Sequence, residues 1–270
     1  MRSTNQAQIQ RAFTQQAADF ESSWMSFSKQ DYLSGMISKI GPRKSDAVLE
    51  AAAGTCACGR AIAPYAGSVV CLDMTPAMLT VGKTEAEKSG LDNMTFVLGD
   101  AAELPFLDDS FDLVVTRLAF HHFPAVEQPF AEMVRVLRPG GKLMLVDMEA
   151  AGENLRETRD EIERMRDPSH VRNLTGAEML RLYQHHCLAV TYDEVTEIPV
   201  NLQSWLKLTK TPDAVQAEIT KRFQRELSGG EQTGFAPYCE GGQIQFRQRW
   251  RMLMGEKRAA EAGVQKGEKR

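Results

Sequence analysis

VLEAAAGTCACGR, residues 48–60, is an apolar strand end that breaks into a run of small residues and then into helix. Ala51, Ala52, Ala53, Gly54 and Thr55 allow backbone to come close to a ligand, and the helix that follows points its free N–H groups the same way. Working outward, Ser45–Ala51 reads as a short strand and Ala57–Tyr65 as the helix after it. Ser68–Asp73 (SVVCLD) is a second buried strand. Thr75 then serves as the expected N-cap of a helix with Pro76 at its first position, running to Ser89 and stopped by Gly90. Met94–Leu98 and Phe111–Thr116 are further strands. An amphipathic helix, Val126–Leu137, stops at Pro139-Gly140-Gly141, and Lys142–Asp147 is a fifth strand. Aliphatic strands alternating with helices predict a parallel sheet covered on both faces, and right-handed crossovers favour the doubly wound arrangement.

After Asp147 the rhythm changes. Glu153–Arg166 is a charged helical segment, and Thr175–His186 is a helix whose Thr175 and Glu178 form a capping box. Leu188–Ile198 and Ile244–Met254 alternate as strands, with helical Ser204–Leu208 and Asp213–Leu227 between them. The expected architecture is α/β and Rossmann-like: a doubly wound, mostly parallel seven-stranded sheet with an antiparallel last strand, N-terminal helices and an inserted helical cap. Residues 1–44 would cover the ligand site, 45–148 form the core, 149–254 carry the cap and final strands, and 255–270 form a charged tail.

Composition narrows the function classes. The 270 residues carry 32 Lys and Arg against 36 Asp and Glu, a formal net charge of −4, which disfavours a nucleic-acid partner. Met1–Phe20 has no apolar signal core, and no run is long and apolar enough to span a bilayer, so a cytoplasmic protein without membrane association is expected. The five cysteines, 56, 58, 71, 187 and 239, form neither a disulfide framework nor a zinc spacing. No metal is expected, and Cys56 and Cys58 read as small residues filling tight space.

Asp73 ends the second strand 19 residues after Gly54, where an acid takes the hydroxyls of a ribose. A pyrophosphate-binding fingerprint would need glycines at positions held by Ala52 and Ala57, which argues against a nicotinamide dinucleotide. S-adenosylmethionine has no phosphate. Its ammonium end suits Glu50, and its adenine edge suits Asp100 and the backbone of Ala101 after the third strand.

VLEAAAGT, VVCLDMTPAML, FVLGDAAELPFLDDSFDLVVTRLAFHHF and RVLRPGGKLMLVD resemble, block by block, the class I S-adenosylmethionine-dependent methyltransferases related to the ubiquinone/menaquinone C-methyltransferase group. The resemblance covers Asp46 to Asp147. It implies S-adenosylmethionine as cofactor and S-adenosylhomocysteine as product, with Glu50 and Gly54 at the methionine end, Asp73 on the ribose and Met74 on the adenine. It further implies Asp100 and Ala101 at the adenine edge and the backbone of Arg117 at the methionine moiety, with Ala51, Ala52, Met78 and Leu118 completing the wall. The family's turn usually carries glycine at the positions of Ala52 and Cys56. Should either need a left-handed backbone, a side chain there costs about 1–2 kcal/mol.

His121 and His122 follow the fourth strand at the lip where acceptors sit, and His170 lies in a polar cap cluster with Arg166, Asp167, Ser169 and Arg172. His122 and His170 are the candidate general bases, against the alternative that they are packed, hydrogen-bonded residues. Phe13, Phe20 and Trp24 precede the sheet and are candidates for a lid, while Trp205 and Trp250 read as core. The expected activity is in-line methyl transfer to a small-molecule acceptor through O, N, C or S, by a monomer or homodimer. The alternatives are a non-catalytic protein of the same fold that binds cofactor or a partner, and a nucleotide-dependent oxidoreductase.

Overall fold

The structure, a computed structural model, describes residues 4–20 and 30–258. Five parallel strands form its centre: β1 (Ala47–Ala51), β2 (Ser68–Asp73), β3 (Met94–Leu98), β4 (Phe111–Arg117) and β5 (Leu137–Met148). β6 (Leu188–Asn201) and β8 (Gln243–Lys257) continue the sheet antiparallel, giving the order β3-β2-β1-β4-β5-β8-β6, with the short β7 (Tyr238–Glu240) paired to β8. The chain lays β2 and β3 to one side of β1 and then β4 to the other. That reversal opens a crevice at the carboxyl ends of β1 and β4, where ligands of such sheets bind.

Strand periodicity explains the two covered faces. Leu49, Val114, Leu143 and Leu145 point to a core built with Phe130 and Met133 of α5 (Glu127–Val136) and Met179 and Tyr183 of α7 (Gly176–His185). Their neighbours Val48, Val115, Met144 and Val146 point the other way, onto Met36 and Ile40 of α2 (Gln30–Ile40) and Ile62 of α3 (Ala57–Ile62). All fifteen are at most 1% exposed, and each is worth roughly 1.5–3 kcal/mol of burial. α4 (Pro76–Lys88) follows β2, and α1 (Thr4–Gln16) lies across the crevice.

The cap has its own core. The distal ends of β6 and β8 fold with α6 (Arg156–Arg166), α8 (Leu202–Leu208) and α9 (Asp213–Leu227) around Ile162, Trp205, Ile219, Phe223, Phe235 and Phe246. Trp205 and Trp250 are both buried, as expected of core residues. Trp24 lies outside the described residues.

Three local expectations change. The Pro139-Gly140-Gly141 segment is an irregularity inside β5, which already pairs Leu137 with Phe111 and resumes at Lys142 against Leu113. β8 runs to Lys257, past the expected strand end at Met254, because the Lys257 ammonium donates to the carbonyls of Val134 and Leu137 and to Asp109. Thr75 makes no side-chain cap. The Asp73 carboxylate accepts its backbone N–H at 2.7 Å instead. The Thr175–Glu178 capping box is present in both directions.

Candidate active site

Residues 52, 54 and 56 all adopt the left-handed backbone, with φ of 51° at Ala52, 53° at Gly54 and 60° at Cys56. This alternation turns the chain sharply from β1 into α3, and two of the three positions carry it without glycine. The Cys56 thiol has room because Gly82 of α4 faces it: a Cβ at Gly82 would lie 2.8 Å from the sulfur. At Gly54 a Cβ would meet nothing within 4 Å, so the open side of that glycine faces the crevice, where a ligand can lie against bare backbone. Leu118, on the opposite wall, is also left-handed at φ 53°, held by its N–H on the Val146 carbonyl at 2.8 Å. Strained residues of this kind concentrate where a site requires them.

Asp73 spans the turn. Its Oδ2 accepts from the Gly54 N–H at 2.8 Å and its Oδ1 from Thr75, leaving a second lone pair on each oxygen at the cleft wall. Burial raises its pKa, with those N–H groups working in the opposite direction. Glu50 is spent differently. Its carboxylate accepts from the N–H groups of Gly59 (2.6 Å) and Cys58 (3.3 Å) at the start of α3, an approach allowed because Gly59 has no Cβ. Burial raises its pKa too, opposed by Gly59 and by the charge of Arg117. Asp100 holds the Ala102 N–H on Oδ1, and its Oδ2 accepts from the Gln6 amide of α1 at 2.5 Å. Gln10 donates to the Met74 carbonyl. α1 is thus fastened to Asp100 and Met74 by glutamines that the sequence reading did not single out.

The far end of the crevice holds three histidines. His121 Nδ1 lies 2.6 Å from Asp147 Oδ1, and the Asp147 carboxylate also accepts from the N–H groups of Phe120 and Met148. Burial acts against charge on both partners. Mutual attraction outweighs it, holding His121 above the usual histidine pKa and Asp147 below the usual carboxylate range. His122 Nδ1 faces the Ser169 carbonyl and hydroxyl at 3.1 Å each. Burial, aided by the neighbouring His121 charge, pushes the His122 pKa down to about 3, so it stays neutral. His170 Nε2 donates to Asp160 Oδ1 at 2.9 Å, an oxygen that also accepts from the Asn173 N–H.

A carboxylate or carbonyl can only accept. In neutral imidazoles the proton therefore sits on the tethered nitrogen, Nδ1 of His121, Nδ1 of His122 and Nε2 of His170, and the opposite nitrogen keeps a lone pair. Around them stand Glu163, Arg166, Asp167, Gln248 and Gln16, with Phe13, Phe20, Phe123, Met148 and Leu208 supplying apolar wall.

One crevice thus gathers Glu50, Ala52, Gly54, Asp73, Met74, Asp100, Ala101, Arg117, Leu118, His122 and His170, with Phe13 and Phe20 across it. Ala51 and Met78 do not line it. Both are fully buried, Ala51 within the sheet core and Met78 in α4, because their side chains point away from the carboxyl-end opening. His121, weighed in the sequence beside His122, is tied to a buried acid, as His170 is. Glu163 and Gln248 carried no local signal at all. Among the described residues no His, Cys, Asp or Glu cluster is arranged to hold a metal, and no helix is long and apolar enough to cross a membrane.

A methyltransferase-domain family matches residues 49–145. The chain is 31% identical over 234 residues to the uncharacterized methyltransferase YcgJ of Bacillus subtilis (strain 168), covering 86% of this chain and 92% of that protein. The YcgJ crystal structure superposes with a TM-score of 0.77 at 30% identity, over 85% of this chain and 99% of that one. A putative methyltransferase from Bacillus halodurans C-125 also gives 0.77, at 25% identity over 85% and 100%. The ubiquinone/menaquinone C-methyltransferase UbiE of Dinoroseobacter shibae is 37% identical over 116 residues, 42% of this chain and 46% of that one. Similarity of this extent, through turn, sheet and cap, makes the chain a member of the class I methyltransferase family.

Proposed function

We propose that this protein transfers the methyl group of S-adenosylmethionine to a small-molecule acceptor seated between the three histidines and the cap. The observation that carries the reading is the pairing of Asp73 and Asp100 along one crevice wall with the open, left-handed Gly54 between β1 and α3. Asp73 is suited to the ribose hydroxyls through its remaining lone pairs, and Asp100 to the exocyclic amine of adenine. Gln6 already supplies Asp100 with an amide N–H of that kind. Glu50 contributes indirectly, by fixing the first turn of α3 and hence the turn on which the methionine end would rest.

The sulfonium supplies an activated methyl group when the donor is bound, so the chain's task is alignment, exclusion of water and removal of a proton. α1 and Phe13, Phe20 and Phe123 close the crevice over the reacting end. The acceptor's proton goes to Nε2 of His121, whose ring Asp147 orients and whose protonated form Asp147 stabilises. His122, one of the two bases expected from sequence, acts as a neutral hydrogen-bond acceptor beside it, and His170, the other, is tied through Nε2 to Asp160.

The test is thermal protection. S-adenosylhomocysteine is expected to raise the melting temperature of the protein, and NAD is not. Protection by NAD, or by neither ligand at millimolar concentration, refutes the assignment.

A further inference from the structure

Glu163 is 1% exposed, lines the acceptor end of the crevice, and has no hydrogen-bond partner for Oε1 among the described residues. Its Oε2 is taken by Arg166 at 3.2 Å. A buried carboxylate oxygen without a donor is costly unless a ligand supplies one. In the same wall His121 and His122 stack with ring centroids 4.1 Å apart, each with its proton tethered on the outer nitrogen and a lone pair on the other. Besides the Nδ1 lone pair of His170, the acceptor end therefore offers three acceptors: Nε2 of His121, Nε2 of His122 and Oε1 of Glu163. Four buried carboxylates, Asp147, Asp160, Glu163 and Asp167, stand here against the two buried guanidiniums Arg159 and Arg166. Phe13, Phe20, Phe123 and Leu208 form the remaining wall.

From this geometry we infer that the acceptor is a primary amine with an apolar body, entering as its ammonium ion. This rests on the methyl-transfer reading above. A group with several N–H bonds suits a wall made of acceptors, and the excess of carboxylates favours a cation. The roles of the three groups differ. His121 takes one proton from the ammonium, which frees a lone pair on nitrogen. The freed lone pair points at His121 Nε2, where the proton was, so the amine pivots on its two remaining N–H bonds, to the neutral His122 and to Glu163, until the lone pair meets the methyl carbon. The N–C bond forms as the C–S bond breaks, its electron pair staying on sulfur. The products are a secondary ammonium ion, S-adenosylhomocysteine and protonated His121, so charge is conserved. An alcohol or thiol offers a single donor and leaves two of the three acceptors unpaired. A carbon acceptor offers none.

The experiment is calorimetric binding to the full chain saturated with S-adenosylhomocysteine, at about pH 7.5, where a benzylic amine is charged. Three probes share one ring: benzylamine, benzyltrimethylammonium with the same charge and no donors, and benzyl alcohol. Benzylamine is expected to bind about ten-fold or more tightly than either of the others. Glu163→Gln, nearly the same size, is expected to remove most of that preference while S-adenosylhomocysteine still binds as in the wild type. If that variant does not fold, His122→Phe provides the same comparison. With labelled methyl donor, label should appear on the benzylamine nitrogen. Equal binding of the three probes, preference for the alcohol, absence of amine binding, or an undiminished preference in a folded variant overturns the inference while leaving methyl transfer intact. Failure of S-adenosylhomocysteine to bind removes the underlying reading, and this one with it.

Discussion

His121 Nδ1 and Asp147 Oδ1 meet at 2.6 Å, with side chains 9% and 2% exposed. One follows β4 and the other lies near the end of β5, so parallel pairing of those strands creates the contact. The Asp147 carboxylate also accepts from backbone N–H groups on both of its oxygens, which is what makes a buried charge tolerable.

Asp147→Asn tests the base. The asparagine amide can turn its NH2 toward Nδ1, which moves the imidazole proton and removes the lone pair from Nε2. Turnover is expected to fall about 100-fold or more. A base works unprotonated, and Asp147 holds the His121 pKa above 6.5, with Glu163 and Asp167 acting in the same direction. The wild-type rate should therefore climb as pH rises through that value, and an NMR titration of His121 should show the same inflection. The variant inflection should move lower. An unchanged inflection excludes His121 as the group that titrates.

Affinity for S-adenosylhomocysteine separates the two acids. Asp73→Ala removes charged hydrogen bonds worth about 1.5–3 kcal/mol each, so the dissociation constant should rise about 100-fold or more. The same variant should melt at lower temperature, since the Gly54 and Thr75 N–H groups lose their acceptor. Asp100→Asn keeps an acceptor oxygen, and an effect of about ten-fold is expected. Equal affinities in calorimetry would show that these carboxylates do not hold the ligand.

The glycine-deficient turn makes two opposite predictions. Ala52→Gly relieves a left-handed alanine at a partly exposed site, and unfolding free energy should rise by up to about 1 kcal/mol after the entropic cost of glycine. Cys56→Gly relieves similar strain but empties the space between the thiol and Gly82, so it should destabilise by about 1 kcal/mol. Chemical denaturation reads both signs directly.

Acid stability should depend on His122. Its folded pKa, about 3, lies below the unfolded value near 6.5. The stabilisation from keeping it neutral is complete above pH 6.5 and is lost as pH falls toward 3, because the unfolded chain takes up a proton that the folded one refuses. Groups facing it are His121, His170, Asp167, Ser169 and the edge-on ring of Phe13. His122→Phe should flatten the decline in denaturation midpoint between about pH 6.5 and 4.5. An equally steep decline in the variant would assign the loss to other groups, and not to Asp167, whose pKa, lowered to about 2, makes its contribution fade only below about pH 4.

The parallel sheet, the turn after β1 and the spacing of Asp73 from Gly54 were legible in the amino-acid order. Strand alternation, glycine placement and turn chemistry act over a few residues and leave their mark locally. The departure at Ala52 and Cys56 was visible too, but its strain depended on backbone angles that only the folded turn has. α6 was the least legible element. RETRDEIERMR reads as a solvated, charged helix, yet Arg159, Asp160, Glu163 and Arg166 are buried on the face it turns to the crevice and the cap core.

Which histidine pairs with which acid or carbonyl, and which ring nitrogen is left untethered, is decided by tertiary structure alone. A proton's place on imidazole follows from its partner, and those partners arrive from positions 147, 169 and 160, on other elements. The glutamines of α1 reach Asp100 and Met74 across more than sixty residues of chain for the same reason. Short-range patterns along the chain set the scaffold and place Asp73 and Asp100 at strand ends; the histidine pairs of the crevice come into being only when separate elements pack together and exclude water.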